Sequence, residues 1–137
     1  ELKEYGLIKL KKDKEIKKVV ICSGKVYFDL LEAREKAKND RVFFIRIEQL
    51  YPFPVKTLAK DLKRFKKNAK FYWCQEEPQN MGAWNSARNY IEWTLKHIKA
   101  ENMKVNYIGR QPAASPATGY IKRHIDQQKQ IVEKVLS

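Results

Sequence analysis

Two cysteines, five glycines and five prolines are all that 137 residues contain of these types. A disulfide scaffold uses more cysteine than that, and collagen-like or low-complexity chains use far more glycine and proline. No apolar run approaches the ~20 residues that span a bilayer, and no secretory leader is visible. Cys22 and Cys74 lie in separate apolar runs without a Cys-x-x-Cys pair. We expect a reducing intracellular compartment, with both thiols acting as small hydrophobes. The chain starts at Glu1 rather than Met, which reads as a processed product or an excised piece.

Catalytic signatures are equally scarce. Neither Gly-x-Gly-x-x-Gly nor Gly-x-Ser-x-Gly occurs, so the usual dinucleotide loop and nucleophile elbow are missing. His97 and His124 have no acidic or thiol partner at ligand spacing, and we expect no zinc site. Ser23-Gly24-Lys25 has the look of a phosphate loop, but no glycine precedes it at the P-loop spacing and Val26 stands where the hydroxyl belongs. Ser23 reads better as a helix N-cap. Glu76-Glu77 is the one acidic pair near a candidate rim. Adjacent carboxylates can form an acid/base couple, yet neighbours in a loop usually point apart, and we read these as partners of nearby Lys or Arg.

Acidic side chains number 16 against 29 basic ones, for a net charge of +13. Such a surface suits a polyanion. Only seven of the basic residues are Arg, the side chain that reads phosphates and bases bidentately. The lysines are spread along the chain, so solvated faces are the stronger reading and a stand-alone basic module for nucleic acid or nucleotide the weaker one.

A hydrophobic share of 43% with sixteen aromatic residues gives ample core for a single domain over 1–137. Strand and helix patterns alternate along it. A short strand at Tyr5 to Leu10 precedes the β-branched run Lys18 to Cys22, which ends at a Ser-Gly turn. Lys25 to Asn39 is helical, with Val26, Leu30 and Ala33 on one face. Arg41 to Ile47 is a buried strand. Pro52 and Pro54 stiffen its exit, and a helix runs to about Lys67 with Val55, Leu58, Leu62 and Phe65 as its stripe. Lys70 to Cys74 is a strand closed by Gln75 to Pro78. A helix from Ala83 to about Ala100 leads to a strand at Lys104 to Ile108, a loop at Gly109 to Gly119, and a last helix from Tyr120 to Leu136 with Ile121, Ile125, Ile131 and Val135 as its apolar positions. This order predicts a three-layer α/β/α domain around a largely parallel sheet. Ligands meet such sheets at the carboxyl ends of the strands: Ser23 to Lys25, Glu48 to Pro54, Gln75 to Pro78 and Arg110 to Gly119.

Four stretches occupy those strand ends: Cys22-Ser-Gly-Lys-Val-Tyr-Phe-Asp-Leu-Leu31, Val42-Phe-Phe-Ile-Arg-Ile-Glu-Gln-Leu-Tyr-Pro-Phe-Pro54, Trp73-Cys-Gln-Glu-Glu-Pro-Gln-Asn-Met-Gly-Ala-Trp84 and Gly109-Arg-Gln-Pro-Ala-Ala-Ser-Pro-Ala-Thr-Gly-Tyr120. Together they resemble the C-terminal domain of the decarboxylating component of 2-oxoglutarate dehydrogenase, in the transketolase group, over roughly residues 16 to 135. Met81 departs from the glutamine expected there, and Asn85 to Asn102 departs freely. The resemblance implies a transketolase C-terminal-like fold with a mixed, mostly parallel sheet of about five strands. It implies a parent enzyme that decarboxylates 2-oxoglutarate with thiamine diphosphate and Mg²⁺ held by two preceding domains, so that no catalytic, cofactor-binding or metal-binding residue is expected in this chain. It implies a homodimer that passes a succinyl group to the lipoyl arm of the dihydrolipoyl succinyltransferase component, in the bacterial cytoplasm or the mitochondrial matrix of a eukaryote. It further implies an effector site for a nucleotide or acetyl-CoA. Gln49 matches one contact, and Lys56 stands where an arginine is expected. Beside this stands a structural reading in which Gln49 serves backbone groups of the Pro-rich loop and Lys56 is solvated.

Overall fold

A computed structural model describes residues 8–113 and 121–137, without the side chains of Ile121 and Lys122. Four strands alternate with four helices: β1 Lys18–Cys22, α1 Val26–Ala37, β2 Val42–Arg46, α2 Val55–Leu62, β3 Lys70–Pro78, α3 Trp84–His97, β4 Val105–Arg110 and α4 Ile121–Leu136. A 3₁₀ turn, Lys63–Phe65, extends α2. The sheet order is β2-β1-β3-β4. Each pairing is parallel, with Val20 opposite both Phe44 and Tyr72.

Successive apolar residues explain why the sheet takes helices on both faces. Side chains alternate across a strand, so Phe43 and Phe44 point opposite ways. Phe43 meets Phe65 at 4.8 Å, beneath the α2 side. Phe44 lies under the guanidinium of Arg34 from α1, at 4.9 Å. The helices sort accordingly: α1 contacts α4, and α2 contacts α3. Val19, Val20, Ile21, Phe71 and Trp73 are at most 1% exposed between these layers. A side chain of that size contributes roughly 1.5–3 kcal/mol on burial.

The three-layer α/β/α prediction holds, with four strands among the described residues where about five were expected. The expected strand at Tyr5 to Leu10 lies partly outside the described residues. Its described part, Ile8 to Leu10, is not strand, because the Ile8 N–H donates to the Glu35 carboxylate at 3.0 Å instead of to a neighbouring strand. No antiparallel pairing occurs among the described residues.

Several boundaries move for local reasons. Ser23 does not cap α1; Gly24 turns the chain at φ 80° and Lys25 takes the N-cap position without a side-chain bond. The helix stops at Ala37, where Lys38 adopts a left-handed φ of 52° and its N–H reaches the Arg34 and Glu35 carbonyls. In α4, Ile131 and Val135 are buried while Ile125 is 59% exposed. Six residues at 100° each set Ile125 roughly 240° around the helix from Ile131, away from the sheet.

Strand β3 differs most from expectation. It does not close at Cys74 but runs to Pro78, past a register shift in which Cys74 faces Ile108 and Pro78 faces Arg110. Gly109 lies at this bulge. A Cβ on it would collide with the Tyr107 hydroxyl and come within 2.8 Å of the Gln75 carbonyl oxygen. Glycine is therefore required by close approach of two strands.

Candidate functional site

Chain order places the topological switch point between β1 and β3, since the chain leaves β1 toward β2 and leaves β3 toward β4. An open cleft of about 400 Å³ lies there, between Ser23 at the end of β1, Leu50 and Tyr51 from the β2–α2 loop, Trp73, Gln75 and Glu77 from β3, and Ser86 and Tyr90 from α3. Its aromatic wall is wet: Tyr51 is 88% exposed and Tyr90 44% exposed. Tyr90 stacks on Phe53, with centroids 4.9 Å apart and planes at 8°. The Tyr51–Pro52 bond on the rim is cis.

Gln75 organises this cleft. Its side chain is buried, and Oε1 accepts from the Trp73 indole N–H at 2.9 Å and the Trp84 backbone N–H at 3.1 Å. Nε2 donates to the carbonyls of Glu77, Pro78 and Met81, at 3.1, 2.9 and 2.8 Å. Helix α3 has no side-chain cap of its own at Ala83. A strand residue thus meets one of the orphan N–H groups that open every helix. Gly82, at φ 68°, lets the loop close over the amide, for a Cβ there would lie 3.0 Å from Gln75 Oε1.

The bulge also separates the acidic pair. Glu76 faces α1 and α4, 3.8 Å from Lys25 Nζ and 3.4 Å from Gln128 Nε2. Glu77 faces α3 beside Gly82. The two carboxylates lie on opposite faces of the strand, and of the pairings with Lys or Arg expected for them the described residues show that of Glu76 with Lys25. Cys22 and Cys74 are closer than the sequence suggests, as register partners on β1 and β3. Both are free and buried. Burial pushes the Cys22 thiol up to about 12 and the Cys74 thiol higher still, so neither is a ready nucleophile. His97 stacks on Trp93 at 5.2 Å, and His124 Nδ1 lies 2.8 Å from Arg110. Among the described residues no group of three or more His, Cys, Asp and Glu could hold a metal ion.

A second cleft, of about 410 Å³, opens at the β2 edge. Gln49 lines it together with Tyr27, Arg46, Glu48, Pro54, Thr57 and Asp61. Gln49 Nε2 donates to the Tyr51 carbonyl at 3.0 Å, and Lys56 is exposed in the first turn of α2 and does not line the cleft. The cation that does line it is Arg46, whose guanidinium sits 5.0 Å from the Phe28 ring centroid and 3.8 Å from a Glu48 oxygen. In the sequence Arg46 reads only as a strand residue, the last of β2. Its spacing three residues before Gln49 was the available signal.

The family profile described as 2-oxoglutarate dehydrogenase C-terminal matches residues 2–136. The chain belongs to that family. Its relatives include proteins named 2-oxoglutarate dehydrogenase E1 component from Brucella anthropi, Brucella ovis and Brucella melitensis. Each is 54% identical over 129 residues, covering 94% of this chain. The chain spans 13% of the length of these relatives. No helix among its described residues is long and apolar enough to cross a membrane.

Proposed function

We propose that this chain is the C-terminal assembly and effector domain of a thiamine-diphosphate-dependent 2-oxoglutarate dehydrogenase component. The observations that carry the reading are the family match over residues 2–136 and the 54% identity to E1 components over 129 residues. The parent enzyme decarboxylates 2-oxoglutarate in the cytoplasm and passes the succinyl group to the dihydrolipoyl succinyltransferase component. Thiamine diphosphate needs a divalent ion on its diphosphate, held by several oxygen donors at one point. In this reading the cofactor and its metal ion are held by the two preceding domains of the parent enzyme, and this chain contributes no catalytic step.

Its own work is twofold in this reading. Exposed Tyr51, Tyr90 and Trp93 offer aromatic surface for the remaining domains and for a second subunit of a homodimer. The cleft holding Gln49 and Arg46, with Lys56 at the helix start nearby, receives a nucleotide or acetyl-CoA effector: an amide for a polar edge and cations for phosphate. Titrating the chain with AMP, acetyl-CoA and thiamine diphosphate tests this. Thermal stabilisation by AMP or acetyl-CoA that disappears in Gln49→Ala and Arg46→Ala is expected, with no response to thiamine diphosphate. Stoichiometric thiamine diphosphate binding, or an effector response unchanged in both variants, overturns it. The net charge of +13 favours a second reading as a free nucleic-acid module. A salt series with duplex DNA decides it, because binding through phosphates must fall steeply with salt.

A further inference from the structure

At the far edge of the sheet from Gln49, β4 ends on a cation with no counter-charge among the described residues. Arg110 is 8% exposed, and its Nε is buried without a hydrogen-bond partner. Its side-chain contact is Nη2 to His124 Nδ1 at 2.8 Å. A guanidinium only donates, so Nδ1 accepts and the imidazole brings no negative charge. Arg110 forms no ion pair among the described residues. Arg34, the other buried arginine among the described residues, also has Nε and Nη2 without hydrogen-bond partners, but it keeps a carboxylate at 3.8 Å, a carbonyl at 3.3 Å and a ring beneath it. Buried charges are ordinarily paired, because an unpaired one is costly.

Arg110 borders a cavity of about 220 Å³ whose other wall is α4. Arg123, Gln127, Gln130 and Lys134 line that wall. Their spacing of four, three and four residues sets them on one helix face. Gln127 Oε1 is likewise buried without a partner, and a flipped amide would turn its N–H groups inward. Among the described residues that line the cavity none is acidic.

We propose that this cavity binds a phosphate group, held by Arg110 from the strand end and by Arg123 and Lys134 from the helix. A carboxylate brings one negative charge to three cations; a phosphate monoester brings about −2 and three acceptor oxygens. The volume is below the ~300 Å³ at which whole drug-sized ligands begin to fit, so the cavity suits the phosphate end of a larger molecule. The sheet order sets it apart from the Gln49 cleft, and it stands whether or not that cleft takes an effector.

Inorganic phosphate is the probe, titrated into the 137-residue chain against chloride and acetate at constant ionic strength. The Arg110 Nε–H resonance is the readout, since that group lacks an acceptor until the anion arrives. Saturable movement of this resonance is expected. Arg123 and Lys134 are exposed and can be removed without touching the core, so the double variant Arg123→Ala, Lys134→Ala folds and binds at least about tenfold more weakly, the loss of charge-assisted bonds. Arg110→Lys, which lacks Nε, loses the response. The proposal fails if no saturable shift occurs, if acetate moves the resonance as well as phosphate does, or if the double variant binds as the parent chain does.

Discussion

Replacing Gln75 by leucine keeps the side chain's bulk and deletes its amide. Two buried donors, the Trp73 indole N–H and the Trp84 backbone N–H, then lose their acceptor, and three carbonyls lose a donor. An orphaned buried polar group costs about 1–3 kcal/mol, so the two donors alone imply roughly 2–6 kcal/mol. That is a large fraction of the 5–15 kcal/mol of a typical domain. With a urea slope near ~2 kcal/mol/M, the unfolding midpoint should drop by about 2 M, followed by tryptophan fluorescence. Gln75→Glu separates hydrogen bonding from bulk. Its carboxyl would face the same carbonyls, which favour the protonated form and raise its pKa above the ordinary ~4.3. A group with a raised folded pKa contributes stability below its unfolded value and loses it as pH rises through the folded value. The glutamate variant should therefore be most stable at acidic pH and weaken toward neutrality. A midpoint loss below ~0.5 M for the leucine variant, equivalent to one ordinary hydrogen bond, would refute the view of Gln75 as the hub.

Other expectations follow from single positions. Lys38→Gly should stabilise the chain by about 0.5–1 kcal/mol in thermal unfolding, because glycine relieves the left-handed strain at φ 52°. Gly109→Ala should destabilise by several kcal/mol, since its methyl would strike Tyr107 and the Gln75 carbonyl; a change within ~0.5 kcal/mol, the usual range of a surface substitution, contradicts that geometry. Burial raises the Cys22 thiol from 9.0 to about 12, so the unfolded chain releases its proton first and stability should decline as pH climbs from 9 toward 12. Cys22→Ala should flatten that decline in denaturant titrations at stepped pH, and an unchanged slope would show another group to be responsible.

The alternation of strands and helices was legible because apolar runs bounded by turns encode it directly, as Lys18 to Cys22 does without error. The extent of β3 was not. Gln75, Glu76 and Glu77 look like a polar exit from a strand, and only the pairing with β4 reveals that the amide turns inward and the carboxylates part. Lys38 was hidden for a similar reason, since a left-handed lysine carries no compositional mark. Gln49 could be placed on a rim from its strand end, but its neighbours in space could not, and Arg46, which lines that cleft where Lys56 does not, is one of them. Arg110 looked like one more loop residue until its burial beside α4 was visible.

The two thiols at the centre of the sheet turn the molecule into its own clock. Cys22 and Cys74 face each other across β1 and β3, fully covered. A thiol reagent can modify them only in molecules whose central strands have parted, whereas reagents aimed at surface lysines report nothing of the kind. With reagent in excess, the labelling rate counts openings; with reagent limiting, it counts the fraction open at equilibrium. One chemical reaction on unaltered protein would thus measure how often the sheet comes apart, and any ligand that grips its carboxyl ends would slow the count.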